Sequence, residues 1–460
     1  RSVGVTGVQT CALPILASFI VAYISVVPAV ALPAMASYFE LSNILQNWVI
    51  NSFLFSVAIF AVPTGNLAGK WGIKKSFQIG SIIFLIGSVI TPLAFSPIFL
   101  ILFRVLQGFG AAMIYNTVMN LVTMAVPENE RGHAIGIVVA GVYIGLGIAP
   151  VLGGILTYNL GWQCIFYFSI PFIVLYILLC YIKVKDEWKV GEGNKFDIKG
   201  ALIWIVSIFL FVYGFTIINQ SIGLIMAILG LIFLSIFVYV ESKAKYPVYN
   251  VRVFKNKVFA FSNIASVVSY IATYFIIYIL NYHLQYIKGW DPQITGLFLI
   301  ITPVVQTIIS PFSGRLSDRY NPQKLAAFGM LFVTIALFIL VFLNKSTSLY
   351  VIALAMILQG LGYGIFSSPN TNIIMSSVKL EDTPVASVSV TVMRVVGQTM
   401  SLAMLTIIFA VIMGNVPIIP KYYHLLTSSC NLTCIIGTIL GIISIMACLV
   451  GIKDKTADIE

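Results

Sequence analysis

Charge is scarce in this chain of 460 residues: only 9% are Asp, Glu, Lys or Arg, against about 25% in an ordinary soluble domain. That excludes disordered chains and water-soluble enzymes at once. Histidine occurs three times. Cys430 and Cys434 have helical spacing, but no His or second Cys pair stands beside them, so they carry no metal site. No Gly-x4-Gly-Lys-Ser/Thr loop is present, which argues against an ATP-driven pump. No nucleophile–base cluster falls in any apolar run, so the chain is not read as an enzyme.

What is plentiful is apolar surface, 60% of the residues. A helix needs about 20 apolar residues to cross a bilayer. Spans are expected near 16–38, 46–66, 77–95, 97–119, 133–157, 162–182, 200–218, 222–241, 258–282, 294–312, 325–343, 348–370, 388–413 and 431–452. The formal charge of +11 does not indicate nucleic acid, because the basic residues fall between the spans. Twenty Lys and Arg occupy alternate loops assigned to the inside, and three occupy loops assigned to the outside. By the positive-inside rule both termini are cytoplasmic, and the chain sits in the plasma membrane as a multi-pass protein. The stretch from Lys183 to Lys199 mixes acids and bases and reads as a solvated, flexible linker. The remaining cysteines read as small apolar residues in lipid-facing helices. Sequons at Asn219, Asn344 and Asn431 fall in expected outer loops; His133 and His424 also read as loop residues, and His283 as a helix end.

The chain begins at Arg1 without Met. Residues Val5 to Ile15 resemble the translation of a short-read sequencing adapter joined to a truncated reading frame, so residues 1–15 are set outside the fold argument. With Cys11 set aside, five cysteines remain, an odd number that argues against a disulfide framework.

An internal repeat suggests the architecture. GNLAGKWGIKK over 65–75 and GRLSDRYNPQK over 314–324 share Gly-x-Leu-small followed by basic residues. They stand 249 residues apart, about eight spans at the mean spacing. Two six-helix halves separated by an inserted pair give that offset. Other motifs keep the same order: RVLQGFGAA over 104–112, PENERGHA over 127–134, Gly136 and Gly145 with Ala149-Pro150 and Gly153-Gly154, GWQCIF over 161–166, GIFSSPNTN over 364–372 and Arg394-Val-Val-Gly-Gln398. Together they resemble the major facilitator superfamily, in particular its fourteen-span drug:proton antiporters of the QacA/EmrB type. The resemblance implies an all-α membrane protein. It would have an N-terminal bundle at 16–184, a linker and inserted helix pair at 185–257, a C-terminal bundle at 258–452 and a cytoplasmic tail at 453–460.

Arg104 lies inside a span, where a charge costs at least about 2.5–3.5 kcal/mol, so it should face the bundle interior or a water cavity. Arg394 is placed nearer a helix end, where it could snorkel. Coupling and substrate contact are expected at Arg104, Gln107, Asn116, Asn370 and Arg394. Asn51, Tyr115, Tyr143, Asn263, Tyr270, Tyr274, Gln306, Asn372 and Gln398 are further pathway candidates, since intramembrane amides need partners or a polar cavity. Gly141, Gly145, Ala149 and Gly153 recur every four residues and permit close helix approach, while Pro150 invites a bend and Gly154 completes the motif. They are expected to seal the two halves against each other, with simple small-residue packing as the alternative. The resemblance also implies cytoplasmic latch loops, with Gly65, Lys70, Gly72 and Lys74 in one and Gly314, Asp318 and Arg319 in the other; basic inside loops alone would account for the charges. The first copy has Gly69 where the family has Asp.

None of the fifteen acids lies in the middle of a span. The family's first span carries an acid nine residues before the Pro of its Ala-Leu-Pro element. Here Ala31-Leu32-Pro33 is present and that position is Ile24. A buried carboxylate would bind lipophilic cations and exchange a proton. Its loss makes multivalent cations poor substrates and favours neutral or anionic compounds near Arg104. Coupling then needs Glu241, Asp318 or a proton carried by the substrate. The expected function is secondary active export of small amphipathic compounds by proton antiport with alternating access. Facilitated transport of one metabolite by the same fold is the alternative, and a non-transporting sensor a third. No cofactor is expected beyond a proton gradient. The partners are a small-molecule substrate and the bilayer, not nucleic acid, and the protein is expected to be a monomer.

Overall fold

The computed structural model describes residues 6–41, 43–189, 196–218, 220–414 and 420–450. Within them fourteen helices are long and apolar enough to cross a membrane. In chain order they are α1 (Ala12–Phe39), α2 (Trp48–Trp71), α3 (Ile73–Leu93), α4 (Pro97–Ala125), α5 (Glu128–Leu160), α6 (Cys164–Lys183), α7 (Ile198–Thr216), α8 (Ser221–Lys243), α9 (Lys257–Ile287), α10 (Ile294–Arg319), α11 (Pro322–Val341), α12 (Leu349–Ser376), α13 (Leu380–Ile412) and α14 (Pro420–Leu449). Each expected span coincides with one helix in the same order. Helices α1–α6 and α9–α14 form two six-helix bundles, and α7 and α8 are the inserted pair. Helices satisfy their own backbone in lipid, and their outer faces are apolar: Ile225, Leu229, Ile232 and Ile236 stand exposed along α8.

Several boundaries differ from the sequence reading. The first helix runs unbroken from Thr6, and Leu13 is buried, so the packing begins ahead of residue 16. The last helix begins well before residue 431, so Asn431 lies within it and not in an outer loop; the polar residues that suggested a loop bond back into the helix, as Thr427 Oγ1 does to the Tyr423 carbonyl at 2.9 Å. His133 and His424 are likewise helical, and His283 lies in a π turn over His283–Ile287. Cys180, Cys430, Cys434 and Cys448 are buried between helices and do not face lipid. Residues 1–5, Asn219, 190–195 of the linker and the tail 453–460 lie outside the described residues.

The linker ahead of residue 190 is docked on α3, while its charged residues stay exposed. Glu187 accepts from the Lys74 and Lys75 backbone N–H groups at 2.9 and 3.0 Å, and the Trp188 carbonyl accepts from Ile73 N at 3.0 Å. The first N–H groups of a helix have no internal partner, and the linker supplies one for α3. Gly72 makes the tight entry at φ 109°.

Prolines fix two other contacts. A proline inside a helix frees the carbonyl four residues earlier. Pro63 frees that of Ile59, and the Trp204 indole N–H of α7 donates to it at 3.1 Å. The inserted pair is thereby tied to α2. Pro28 frees the carbonyl of Ile24, and Arg104 Nη1 donates to it at 3.3 Å.

Candidate functional site

Arg104 is fully buried in the N-terminal bundle. Besides the Ile24 carbonyl it donates to Val49 O at 3.2 Å and Gln107 Oε1 at 3.0 Å, and its guanidinium lies 4.7 Å from the Phe53 ring centroid. Gln107 passes the chain on to Ser88 Oγ at 3.0 Å. Among the described residues no carboxylate pairs with Arg104, and Nη2 has no partner. Where the family places an acid, a backbone carbonyl does part of the same work. Arg104 and Gln107 therefore brace α1, α2, α3 and α4 within one half and do not face the opposite bundle.

Arg394 is the charge at the contact between the halves. It lies in the interior of a helix over Thr383–Ile412, not near its end, because that helix starts five residues earlier than the sequence reading placed it. Its guanidinium sits 4.2 Å from the centroid of Tyr115 on α4. Three more tyrosines gather around this pair. Tyr143 of α5 lies beside Tyr270, Ser367 and Arg394. The Tyr270 and Tyr363 rings of α9 and α12 meet edge to face at 5.7 Å. Gly397 makes this possible: a Cβ there would come within 2.6 Å of Tyr270 Cβ. Tyr115, Tyr270 and Arg394 are half-buried, and Tyr143 and Tyr363 are buried. The Tyr363 hydroxyl lies beside Ser269 and Tyr270. Sequence reading listed four members of this group but missed Tyr363, one position before Gly364 where the quoted motif begins.

Asn116 and Asn370 take different places. Asn116 Nδ2 donates to Ala61 O at 2.7 Å and Thr64 Oγ1 at 3.0 Å, and its backbone carbonyl accepts from Ser387 Oγ of α13 at 2.6 Å, so the residue joins the halves through its main chain. Asn370 Nδ2 donates to Ser262 O at 3.2 Å within the C-terminal half, leaving Oδ1 unpartnered. Asn263 and Asn372 likewise bond within that half.

The glycine motif of α5 needs correction. Gly141, Gly145 and Gly153 face α1, where Ile15, Ala22 and Val27 pack against them, and Ala149 is buried. The stripe seals a contact inside one half, since four-residue spacing defines a face but not its partner. A Cβ on Gly154 would meet nothing within 4 Å. The opposite face of α5 meets the other half: a Cβ on Gly136 would come within 2.5 Å of Ser310 O, and Gly314 packs against Gly132.

At that end Asp318 closes the contact. Its Oδ1 accepts from Gly132 N at 2.7 Å and its Oδ2 from His133 N at 2.9 Å, on the first turn of the regular helix Arg131–Leu160. Arg131 pairs with Glu128 at 3.2 Å instead. A carboxylate on a helix N-terminus satisfies free N–H groups and meets the positive end of the dipole.

A family model described as the Major Facilitator Superfamily matches residues 15–400 and 262–457. The chain belongs to that superfamily. Riboflavin transporter RibZ of Clostridioides difficile is 30% identical over 350 residues, 76% of either chain. Multidrug resistance protein Stp of Mycobacterium tuberculosis is 29% identical, covering 83% of this chain and 72% of its own. The solved proton:xylose symporter XylE superposes with a TM-score of 0.66 at 14% identity, covering 96% of this chain and 94% of that one. That likeness concerns the fold.

This superfamily member closes its second interface differently from the first. Gly69 brings no carboxylate to α13; it packs against Pro384 in the first turn of that helix. Residues 245–250, which follow the inserted pair, lie there instead. Asn66 of α2 donates to Pro247 O at 3.2 Å and Val248 O at 3.1 Å. The Tyr249 hydroxyl bonds Ser389 of α13, and Asn250 Nδ2 donates to Asp382 Oδ1 at 2.9 Å. Buried Glu241 holds this strap by accepting from Tyr249 N at 2.8 Å. Gly65 packs against Val388, and Lys70 lies 5.4 Å from the Phe196 ring centroid. A cavity of about 390 Å³ remains between Gly69, Lys70, Lys245, Arg252 and Asp382. The remaining latch residues do not share one bond network: Lys74 joins the linker through its backbone, and Arg319 ends α10.

Proposed function

We propose that the protein is a secondary active exporter of small amphipathic compounds, working by alternating access and proton antiport. The observation that carries this reading is the closure of both inter-half contacts at one end of the molecule, by Asp318 on α5 and by the strap on α13, next to a half-buried group of polar and aromatic side chains. That closed end bears the basic loops, so it is the cytoplasmic end, and both termini belong on that side of the plasma membrane. Opening it means breaking the Asp318 bonds. Protonating that carboxyl removes the charged acceptor from the helix terminus and favours opening. A proton that reaches Asp318 from outside while this end is closed, and leaves to the cytoplasm once it is open, lets the carboxylate cap the helix again behind the outgoing substrate, and so couples export to the gradient without an acid in mid-membrane.

A second reading, transport of one specific metabolite without proton exchange, is favoured by the absence of any acid from the middle of the helices and by the riboflavin transporter among the relatives. Inverted vesicles holding a respiratory proton gradient separate the two. Proton release on adding a substrate, absent in Asp318→Asn, supports antiport. Riboflavin or drug movement with no proton release supports the second reading.

A further inference from the structure

We infer that Arg394 and the four tyrosines around it form a recognition site for planar aromatic compounds that carry a negative charge or a strongly accepting edge. The inference rests on the exporter reading and specifies its substrate class. Arg394 is a permanent cation in a membrane span, and no carboxylate among the described residues pairs with it. Intramembrane charges are kept where a partner neutralises them during function. Here the protein offers Tyr115, whose ring centroid lies 4.2 Å away and whose hydroxyl hydrogen-bonds the guanidinium, and a neutral phenol attracts a cation without neutralising it. The missing partner is therefore an anion or acceptor brought by the ligand.

The surrounding chemistry matches a flat ring system. Tyr115, Tyr143, Tyr270 and Tyr363 come from four helices, α4, α5, α9 and α12, and so from both halves. Aromatic side chains accept planar ligands by stacked or edge-to-face contact. The Tyr363 hydroxyl is buried beside Ser269 and Tyr270, and it is the polar tip of an aromatic side chain that a polar ring substituent on the ligand can engage. Because both halves contribute, the ligand bridges them, and its release accompanies their separation. A lipophilic cation with the same rings would meet the guanidinium without a counter-charge. This places the selectivity expected around Arg104 at Arg394 instead, since Arg104 is fully buried and its bonds stay within its own half, whereas Arg394 is half-buried where the halves meet.

A matched pair of dyes tests this. Fluorescein and rhodamine 6G share a xanthene ring system but carry opposite charge at neutral pH. Binding to the purified full chain in detergent is followed by fluorescence polarisation, and export by loss of dye from loaded cells. Wild type is expected to bind fluorescein about tenfold more tightly than rhodamine 6G, the scale of one desolvated cation contact. Arg394→Gln should abolish the preference, Arg394→Lys should keep part of it, and Tyr363→Phe should weaken binding while leaving the preference. The wild-type ranking needs no variant, so a misfolded Arg394 variant would not rescue the idea. Equal affinity for the two dyes, tighter rhodamine binding or no binding of either overturns it. Fluorescein binding without fluorescein export upholds the site and overturns the exporter reading.

Discussion

Asp318 and Gly132, 186 residues apart in sequence, are joined by a 2.7 Å hydrogen bond from the Gly132 amide to the Asp318 carboxylate. One side chain of α10 thus caps a helix of the other half. Asp318→Asn keeps the size but loses the charge, which should cost the closed state about 1–2 kcal/mol. That is a factor of about 5–30 in population. A cysteine in place of buried Ser317, whose hydroxyl lies against Gly132 across the contact, in a background free of other cysteines, should be alkylated correspondingly faster in inverted vesicles. An unchanged rate would show that the cap does not hold the halves together.

Gly69 offers the reverse experiment. A Cβ there would touch Pro384 at 3.4 Å, an ordinary contact, and the first turn of α13 lies beside it with no side-chain cap. Gly69→Asp should therefore add the acid that the first loop lacks and stabilise closure by about 0.5–2 kcal/mol. Turnover should fall if opening limits the cycle, and rise again when Asp318→Asn is added. Loss of folded protein, read by size-exclusion profile, would mean that the carboxylate cannot reach the helix end.

If the strap substitutes for that acid, removing its bonds should loosen the same contact. Asn66→Ala deletes two hydrogen bonds to the strap, and Tyr249→Phe deletes the one to Ser389. Each net bond is worth about 1 kcal/mol. A cysteine at buried Val388 should then become reactive from the cytoplasmic side. The effect should be smaller in the Gly69→Asp background, where the added carboxylate shares the load. Equal effects in both backgrounds would separate the strap from the latch.

The fold was legible in the sequence because lipid imposes one strong rule, about 20 apolar residues per crossing, and because the two loops around Gly65 and Gly314 mark the same place in each half. Helix ends were less legible. Thr427 and Ser429 look like loop residues, yet their hydroxyls bond the preceding turn. Partners were the least legible. The spacing of Gly141, Gly145 and Gly153 fixes a face, but only three-dimensional packing assigns that face to α1. Arg104 and Arg394 are both lone arginines within spans. What separates them is Pro28, which exposes a carbonyl to Arg104 within one half, whereas Arg394 meets Tyr115 of the opposite half.

The two faces of α5 should respond differently to added bulk. Gly145→Val would push a side chain into α1 near the Phe19 carbonyl and should reduce folded yield. Gly136→Val would strike the Ser310 carbonyl across the inter-half contact; it should leave yield nearer normal but hold the cytoplasmic end apart and stop transport. Gly154→Ala, in open space, should change neither. Yield by fluorescence size exclusion and uptake into inverted vesicles distinguish the three. A transport defect in Gly154→Ala would assign that residue a role its surroundings do not explain.

Arg104 and Pro28 should be coupled through a carbonyl that neither of them owns. Pro28 has no N–H, so the Ile24 carbonyl lacks its helical donor, and Arg104 Nη1 fills the gap at 3.3 Å. Pro28→Ala would restore an N–H where the helix needs one, and the carbonyl would no longer depend on Arg104. Alone, Arg104→Gln should destabilise the protein by about 2–4 kcal/mol, through lost bonds and stranded acceptors in a dry interior. In the Pro28→Ala background that cost should shrink by about 1 kcal/mol, the value of one hydrogen bond. Thermal unfolding of the four proteins in detergent closes the cycle. Strict additivity would mean that Arg104 is held by Val49, Gln107 and Phe53 alone. A positive coupling would establish that a proline-freed carbonyl does here what a carboxylate does where that acid is present.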